Sequence, residues 1–437
     1  MYATAIIFEQ LQEAAMKAYA AGARASGPLE TPSVYANRIL KQMGMSSISA
    51  IPSCDFGSGV GTVACPAGEF ENEYHFNKEF HPELAKVFGE QRLFNTERNS
   101  YLPASERTSN DKKPDWAIFE IPSLLKRNSA PKSFASQEIC YATPPEELLD
   151  LVTFIFEGKI GTGNLTPTDL AALLTYLALL LKENHANPRG VLYNQREFIY
   201  VEYDHAIGDL SLIERSTWAT AGCREFLQKK CVPPPAMQKL QRALLHGSFT
   251  PGRWLGRGRF GLVLEAAKGD VVYALKVVTD HFNFFKAEFE KLSIAHEKAG
   301  HLVVQPVPDS LVVGDGYAYY LMSDVGESSD GIYRRDVFKL ICALHLKEMV
   351  HGDPRVQNIV KLGTAYKWVD MRQEFDMRFD SHSIEDDMRV VVKSSFHCTD
   401  DAISKIDAIE THLQSYCQHV SEPNVETLYD CCKALDP

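Results

Sequence analysis

The sequence predicts an α+β protein in which two mixed domains follow one another. Three observations carry that expectation. The chain has 437 residues, more than one ordinary core accommodates, and length alone argues for about two or three domains. Short runs rich in β-branched and aromatic residues alternate with stretches of helical period. Between the two halves, Cys231-Val-Pro-Pro-Pro removes backbone donors and marks a linker. The expected boundaries are a helical or irregular region at 1–68, an α/β domain at 69–230, a linker with a short helix at 231–249, and a second domain at 250–437.

The elements follow in order. Met1 to Ala25 reads as a helix, because Ile6, Leu11, Ala15 and Ala18 recur at three- and four-residue steps. Gly57 to Gly61 (G-S-G-V-G) lacks the Lys-Ser/Thr of a nucleotide loop and reads as a turn. Glu69 to Glu97 is expected to be helical in part, and Asn99 to Lys113 to be a loop. Trp116 to Ile121 and Leu151 to Phe156 are apolar strands. Thr166-Pro167 opens a helix through Lys182, with Asp169 in its first turn, where the helix dipole favours an acid. Gly190 to Tyr193 and Glu197 to Tyr203 form a hairpin around Asn194-Gln195. Ser216 to Lys229 and Met237 to Leu245 read as helices.

Composition bounds the function classes. The chain is 45% hydrophobic and 23% charged, with a formal net charge of −12; it describes a globular protein and not an overall electrostatic nucleic-acid binder. None of the ten cysteines has C-x-x-C spacing, so reduced thiols in an intracellular protein are expected. Met1 to Ala21 carry no basic segment before a long apolar stretch, and no secretory signal is expected. Leu170 to Leu181 is too short to span a bilayer, so no membrane partner is expected.

Four motifs in the second half occur in the order that phosphoryl transfer needs. Gly256-Arg-Gly258-Arg-Phe260-Gly261-Leu-Val263 is a G-x-G-x-F-G-x-V loop, whose glycines let backbone approach a triphosphate and whose aromatic tip covers it. Val272-Tyr-Ala274-Leu-Lys276 matches the strand whose Lys binds the α- and β-phosphates, with Ala274 and Val263 beside the nucleotide. A partner acid for Lys276 is expected on the helix Phe284 to His296. Glu290 fits best from its distance to the strand expected at Leu302, with Glu288 as the alternative; the two point about 200° apart, so only one can face the Lys. His351-Gly-Asp353-Pro-Arg-Val-Gln-Asn358 is followed twelve residues later by Asp370. Asp353 is the expected proton acceptor, and Asn358 and Asp370 the magnesium ligands. Asp324, after the strand Tyr317 to Met322, falls at the expected hinge and reads as a surface residue.

Three features depart from an ordinary protein kinase. H-G-D replaces H-R-D, so control through an Arg that reads a phosphorylated activation loop is not expected. D-M-R replaces D-F-G, which keeps the metal ligand. No A-P-E follows, and 67 residues remain after Asp370, which implies a short C-lobe.

In the first half, Pro114-Asp115 opens one strand and Glu157-Gly-Lys159 ends another, in the form P-D…E-x-K. There Asp115 and Glu157 would share a hard divalent cation and Lys159 would lower the pKa of an attacking water; Glu83 or Glu79 could add a carboxylate. The same residues also suit solvated turns. The fold class is therefore a two-lobed protein-kinase-like domain at the C-terminus, preceded by an α/β PD-(D/E)XK nuclease-like domain.

H-G-D-P-R-x-x-N, with V-D-M after it, resembles the atypical kinase domain of Crinkler-type effectors and related proteins of oomycetes and chytrid fungi. The resemblance extends to Asp115, Glu157, Lys159 and the hairpin Y-N-Q-R-E-F-I-Y-V, and covers roughly Lys113 to Asp380. It implies an ATP- and magnesium-dependent kinase with a protein substrate, preceded by a degenerate restriction-endonuclease-like domain through which DNA is a candidate partner, in a protein delivered to a host cell and acting in its nucleus or cytoplasm. Met1 to Leu40 shows no L-x-L-F-L-A-K translocation motif, so an intracellular relative is an equal expectation. A pseudokinase that binds nucleotide without transfer, and a nuclease acting through Asp115, remain the alternatives.

Overall fold

The computed structural model describes residues 31–89, 92–96, 114–120, 126–127, 139–140, 151–182, 187–204, 209–258, 261–278, 282–329, 331–371, 379–404 and 406–435. The helix read at Met1 to Ala25, the loop at Asn99 to Lys113, Phe260 and Arg372 lie outside them. Two compact units emerge, one of residues 1–118 and 154–232 and the other of 119–153 and 233–437.

The first unit is built on a six-stranded sheet. Pro32–Gln42 (α1) and Glu73–Phe88 (α2) precede Leu93–Asn95 (β1) and Trp116–Phe119 (β2). A two-residue pair follows, Lys126–Arg127 (β3) with Ile139–Cys140 (β4). Val152–Gly158 (β5) is buried at every residue, Thr153 and Glu157 included, as in a strand covered on both faces. Pro167–Lys182 (α3) starts at a capping box, in which the Thr166 N–H donates to Asp169 Oδ2 at 2.9 Å and the Asp169 N–H returns to Thr166 Oγ1 at 3.3 Å. That helix carries the chain over to Arg189–Tyr193 (β6), which pairs parallel with β5. Glu197–Asp204 (β7) and Asp209–Thr217 (β8) then add antiparallel, giving the order β1-β2-β5-β6-β7-β8. Cys223–Lys230 (α4) closes the unit.

One sequence expectation shifts here and another is met. Ser216 to Lys229 was expected as one helix, but Ser216 and Thr217 pair with Phe198 and Glu197 of β7, and the helix begins only after Gly222, whose φ of 87° breaks the chain direction. The G-S-G-V-G segment is a turn. The Gly61 N–H donates to Glu225 of α4, and a Cβ at Gly61 would meet Glu225 Oε1 at 2.7 Å.

The second unit begins earlier than the sequence suggested. Pro235–Gly247 (α5) packs on the sheet of this unit, against its second, third and fifth strands, and is not part of a free linker. Thr250–Gly258 (β9), Gly261–Lys268 (β10), Val271–Val278 (β11), Val312–Gly314 (β12) and Tyr317–Met322 (β13) form an antiparallel sheet in the order β12-β13-β11-β10-β9. Phe282–Ala299 (α6) lies between β11 and β12 in the chain. Its buried residues Phe285, Leu292, Ala295 and Ala299 recur at helical steps. A helical lobe follows: Glu327–Ser328 (β14), Arg334–His345 (α7), Ile359–Leu362 (β15), Ala365–Trp368 (β16), Ser381–Phe396 (α8), Asp400–Ser404 (α9), Asp407–Gln418 (α10) and Glu422–Cys432 (α11). One apolar core runs through both lobes, from Phe285, Leu292 and Tyr320 to Phe338, Ile341, Trp368 and Met388. Among the described residues no helix is long and apolar enough to cross a membrane.

Candidate functional site

The glycine-rich segment folds as the hairpin of β9 and β10. Gly261 pairs with Gly258, and Val263 pairs with Gly256 on one side and with Lys276 on the other. A Cβ at Gly261 would meet the Val277 carbonyl oxygen at 2.8 Å and the Lys276 side chain at 3.5 Å, so the close approach demands glycine. Ala274 is buried on the same strand face as Lys276, across from Met322 of β13.

The Lys276 ammonium is the centre of the site. Its side chain is 3% exposed, and Nζ donates to Glu288 Oε1 at 2.7 Å and to Asp370 Oδ1 at 2.5 Å. Burial opposes a charge on Lys276, but the two carboxylates hold it above the ordinary lysine range. Burial raises Glu288, Lys276 draws it down, and Asp370 raises it further, with a net upward displacement. Lys276 and Asp370 are 94 residues apart in the chain and directly bonded in the fold.

Glu290, the acid the sequence favoured, does not reach this centre. Its side chain is 56% exposed and sits 3.7 Å from Lys286, one turn back on the helix surface. Glu288 faces inward because it falls three residues after Phe285 and four before Leu292, on the buried stripe of α6.

The H-G-D motif is held from beneath. His351 Nε2 donates to the Val369 carbonyl at 2.9 Å, and its Nδ1 accepts the Asp353 N–H at 3.2 Å, which defines a neutral ring. Burial pushes the His351 pKa down to about 4, with Asp387 partly opposing and Lys291 adding to the fall. The Asn358 amide nitrogen donates to the Asp353 carbonyl at 2.8 Å and lies 3.3 Å from Asp353 Oδ2. Its planar amide therefore turns Oδ1 to the opposite side. Asp370 adopts φ 57°, a left-handed backbone that Asp tolerates better than most residues, of the kind that collects at functional sites. Asp324 is not a bare surface residue: its Oδ2 accepts from Gln305 N and Lys367 Nζ, both at 2.8 Å, and braces the chain after β13.

Five residues to which the motif reading gave no role take part. Asp387 of α8 is buried and accepts the His351 N–H at 2.6 Å, the Gly352 N–H at 2.8 Å and the His345 ring at 3.2 Å. Burial favours its neutral form, yet His345 and the backbone donors bring its pKa below the usual carboxylate value. Gly352 sits at φ 87°, and its N–H is aimed at Asp387; the H-G-D glycine is thus a backbone requirement. The Arg355 guanidinium donates to Asp353 Oδ2 at 2.8 Å. Tyr320 and Lys291 complete the set: the Tyr320 hydroxyl donates to Glu288 Oε1, and Lys291 Nζ donates to the His351 carbonyl.

The first unit holds a second cluster. Asp115 and Glu157 are both buried where β2 and β5 lie side by side. Asp115 Oδ2 accepts the Gly158 N–H at 2.5 Å, and Lys159 Nζ lies 2.9 Å from Glu157 Oε1. The additional carboxylate is Glu73, at the start of α2 and 3.5 Å from Lys159. Glu83 instead pairs with Lys86, and Glu79 is exposed. Burial works against the charge on Lys159, but Glu157, Asp115 and Glu73 together keep it above the ordinary lysine value. Among the described residues no group of three His, Cys, Asp or Glu side chains is arranged to hold a metal ion.

Comparison with known proteins adds a limited finding. No protein-family model and no curated protein matches the sequence. Among solved structures, the chain is similar to the PknI kinase domain of Mycobacterium tuberculosis. The identity is 13%, over 43% of this chain and 95% of that domain, with a TM-score of 0.31. A second structure of the same domain gives 13% identity and 0.30. The superposition is loose, so the functional assignment stands on the side chains just described.

Proposed function

We propose that the second unit is a kinase-like phosphotransferase that moves the γ-phosphate of ATP to a hydroxyl, with a protein Ser or Thr as the acceptor class. The single observation that carries this reading is the Lys276 ammonium held between Glu288 and Asp370 beneath a glycine hairpin. A buried cation oriented by one helix carboxylate suits the α- and β-phosphates, and costs no reorganisation when they arrive. Gly256, Gly258 and Gly261 allow backbone to approach the phosphate chain. The Asp353 carboxylate accepts the proton of the attacking hydroxyl, and Arg355 beside it supplies a cation for the transferred phosphoryl oxygens.

Asn358 and Asp370 suit magnesium by their chemistry, since both present hard oxygen donors and the Asn358 nitrogen already faces Asp353. Magnesium bound there would offset charge on the β- and γ-phosphates. The test is transfer of labelled phosphate from ATP to a generic protein substrate or to the chain itself. Asp353→Asn should abolish transfer and keep nucleotide binding. Wild type that labels no more than this variant leaves, at most, a nucleotide-binding pseudokinase, recognised by nucleotide-dependent thermal stabilisation without turnover.

A second reading concerns the first unit. Asp115, Glu157 and Lys159 lie at the margin of two paired strands, which favours metal-dependent phosphodiester hydrolysis. Asp115 and Glu157 are the hard oxygen type that magnesium or manganese takes, and Lys159 is charged, as stabilising a hydroxide requires. Plasmid DNA incubated with the protein and manganese should be nicked by wild type and not by Asp115→Ala; equal cleavage by the two removes the reading.

A further inference from the structure

The helix that carries Glu288 is fastened at two points that make no use of nucleotide. Tyr320 lies on β13 directly across from Lys276. Its ring packs against Phe285 and Phe289 of α6, with centroids 4.9 and 5.2 Å away. Its hydroxyl donates to Glu288 Oε1, the same oxygen that takes the Lys276 ammonium. One carboxylate oxygen thus receives a cation and a phenol together, which fixes the Glu288 rotamer from the sheet side.

The second fastening is Lys291, one turn further along α6. This lysine is buried, and its Nζ donates to the His351 carbonyl at 3.2 Å, two residues before Asp353. A buried ammonium is costly without such partners, so the contact ties α6 to the loop that carries Asp353.

In kinases the Lys–Glu pair is a point of control, commonly exerted by a phosphate on the segment after the metal-binding Asp, which pairs with nearby Arg. That control has no acceptor in the ten residues after Asp370, and the next hydroxyls, Ser381 and Ser383, belong to α8. Met371 to Asp380 reads M-R-Q-E-F-D-M-R-F-D, without Ser, Thr or Tyr. Gly352 occupies the position where an Arg would read such a phosphate.

We propose that Tyr320 and Lys291 are positioning residues that hold Glu288 against Lys276, so that the phosphate-binding pair is assembled without phosphorylation of the segment after Asp370. This inference rests on the kinase reading of the site.

The experiment measures the dissociation constant of a fluorescent, non-hydrolysable ATP analogue with magnesium, on full-length protein shown by intact mass to be unphosphorylated. Tyr320→Phe and Lys291→Met should each weaken binding roughly tenfold, the scale of a lost hydrogen bond to a charged group. Lys291→Arg, which keeps a donor, should retain most of the affinity. Tyr320→Phe added to Glu288→Gln should cost nothing more, because the hydroxyl acts only through that carboxylate. Losses that multiply in the double variant, or single variants that bind as wild type does, would show that these side chains merely fill space and would overturn the proposal alone. Unphosphorylated wild type that binds no analogue would overturn the kinase reading, and the proposal with it.

Discussion

Replacing Glu288 by Gln removes one of two carboxylates from a buried ammonium and leaves the shape of the site unchanged. Breaking a buried ion pair outright costs about 3–5 kcal/mol. Lys276 keeps Asp370 at 2.5 Å, however, so the loss of folding stability should be smaller, about 1–2 kcal/mol. Turnover is hit harder. On the kinase reading, in which Asp370 would turn toward a metal, Glu288 would be the remaining carboxylate on the ammonium, and its removal should cost about 3 kcal/mol of transition-state stabilisation, or roughly 150-fold in kcat/KM. Glu290→Gln is the matched control. Its side chain is 56% exposed and faces only Lys286, itself 64% exposed, so it should change stability by less than about 0.5 kcal/mol and turnover by less than about twofold. Urea unfolding and phosphate transfer to a generic protein substrate measure the two effects. Equal losses of turnover in both variants, or a larger loss in Glu290→Gln, would refute the assignment of Glu288 as the partner of Lys276.

Three further outcomes follow from the geometry. His351 titrates near 6.5 when unfolded, and burial holds it down to about 4 in the fold; between those values the unfolded chain binds more protons, so stability falls as pH drops from about 6.5 to 4, by about 3 kcal/mol if the full shift is realised. Urea unfolding across that range should show the slope in wild type and a flatter one in His351→Gln. Gly352→Ala should destabilise by about 1–2 kcal/mol, because an L-residue at φ 87° is strained, and should slow transfer by displacing Asp353; an unchanged urea midpoint would contradict the backbone account of the H-G-D glycine. In the first unit, Gly158→Ala places a Cβ 2.7 Å from the Tyr193 ring and 2.8 Å from Asn77 Oδ1, which should cost about 1–3 kcal/mol, read from the urea midpoint.

Local chemistry made much of the fold legible. Leu151 to Phe156 read as a strand because it is rich in β-branched and aromatic residues, and Val152–Gly158 is a strand buried throughout. Thr166, Pro167 and Asp169 announced the start of α3, since each meets a need of a helix N-terminus. Asn194-Gln195 marked the turn between β6 and β7. β8 escaped notice because Asp209–Thr217 is mostly polar and is a strand only through its pairing with β7. The helix Pro235–Gly247 was visible, but not its attachment to the second unit, because amphipathic period shows a buried face without naming the surface that covers it.

The site divides along the same line. Lys276, Asp353, Asn358 and Asp370 stood out because each belongs to a motif with the spacing expected of a triphosphate site, and the fold joins Lys276 to Asp370 and Asn358 to Asp353. Glu288 carried a signal that distance along the chain obscured: Phe285, Glu288, Leu292, Ala295 and Ala299 form one stripe, and Glu290 lies off it. Asp387 carried the same signal, as an acid on the stripe of Ile384, Met388 and Val391. A carboxylate on an apolar helix face must find donors in the core, and for Asp387 those donors are the N–H groups of His351 and Gly352. Lys291 carried that signal more weakly, beside Leu292 at the margin of the α6 stripe, and Tyr320 carried none. A tyrosine in a strand and a lysine in a helix are ordinary until the fold sets β13 beside β11 and the catalytic loop beneath α6. The motif residues are thus readable in one dimension from their spacing, whereas those that hold them are constrained only by one another, and become visible when the chain closes.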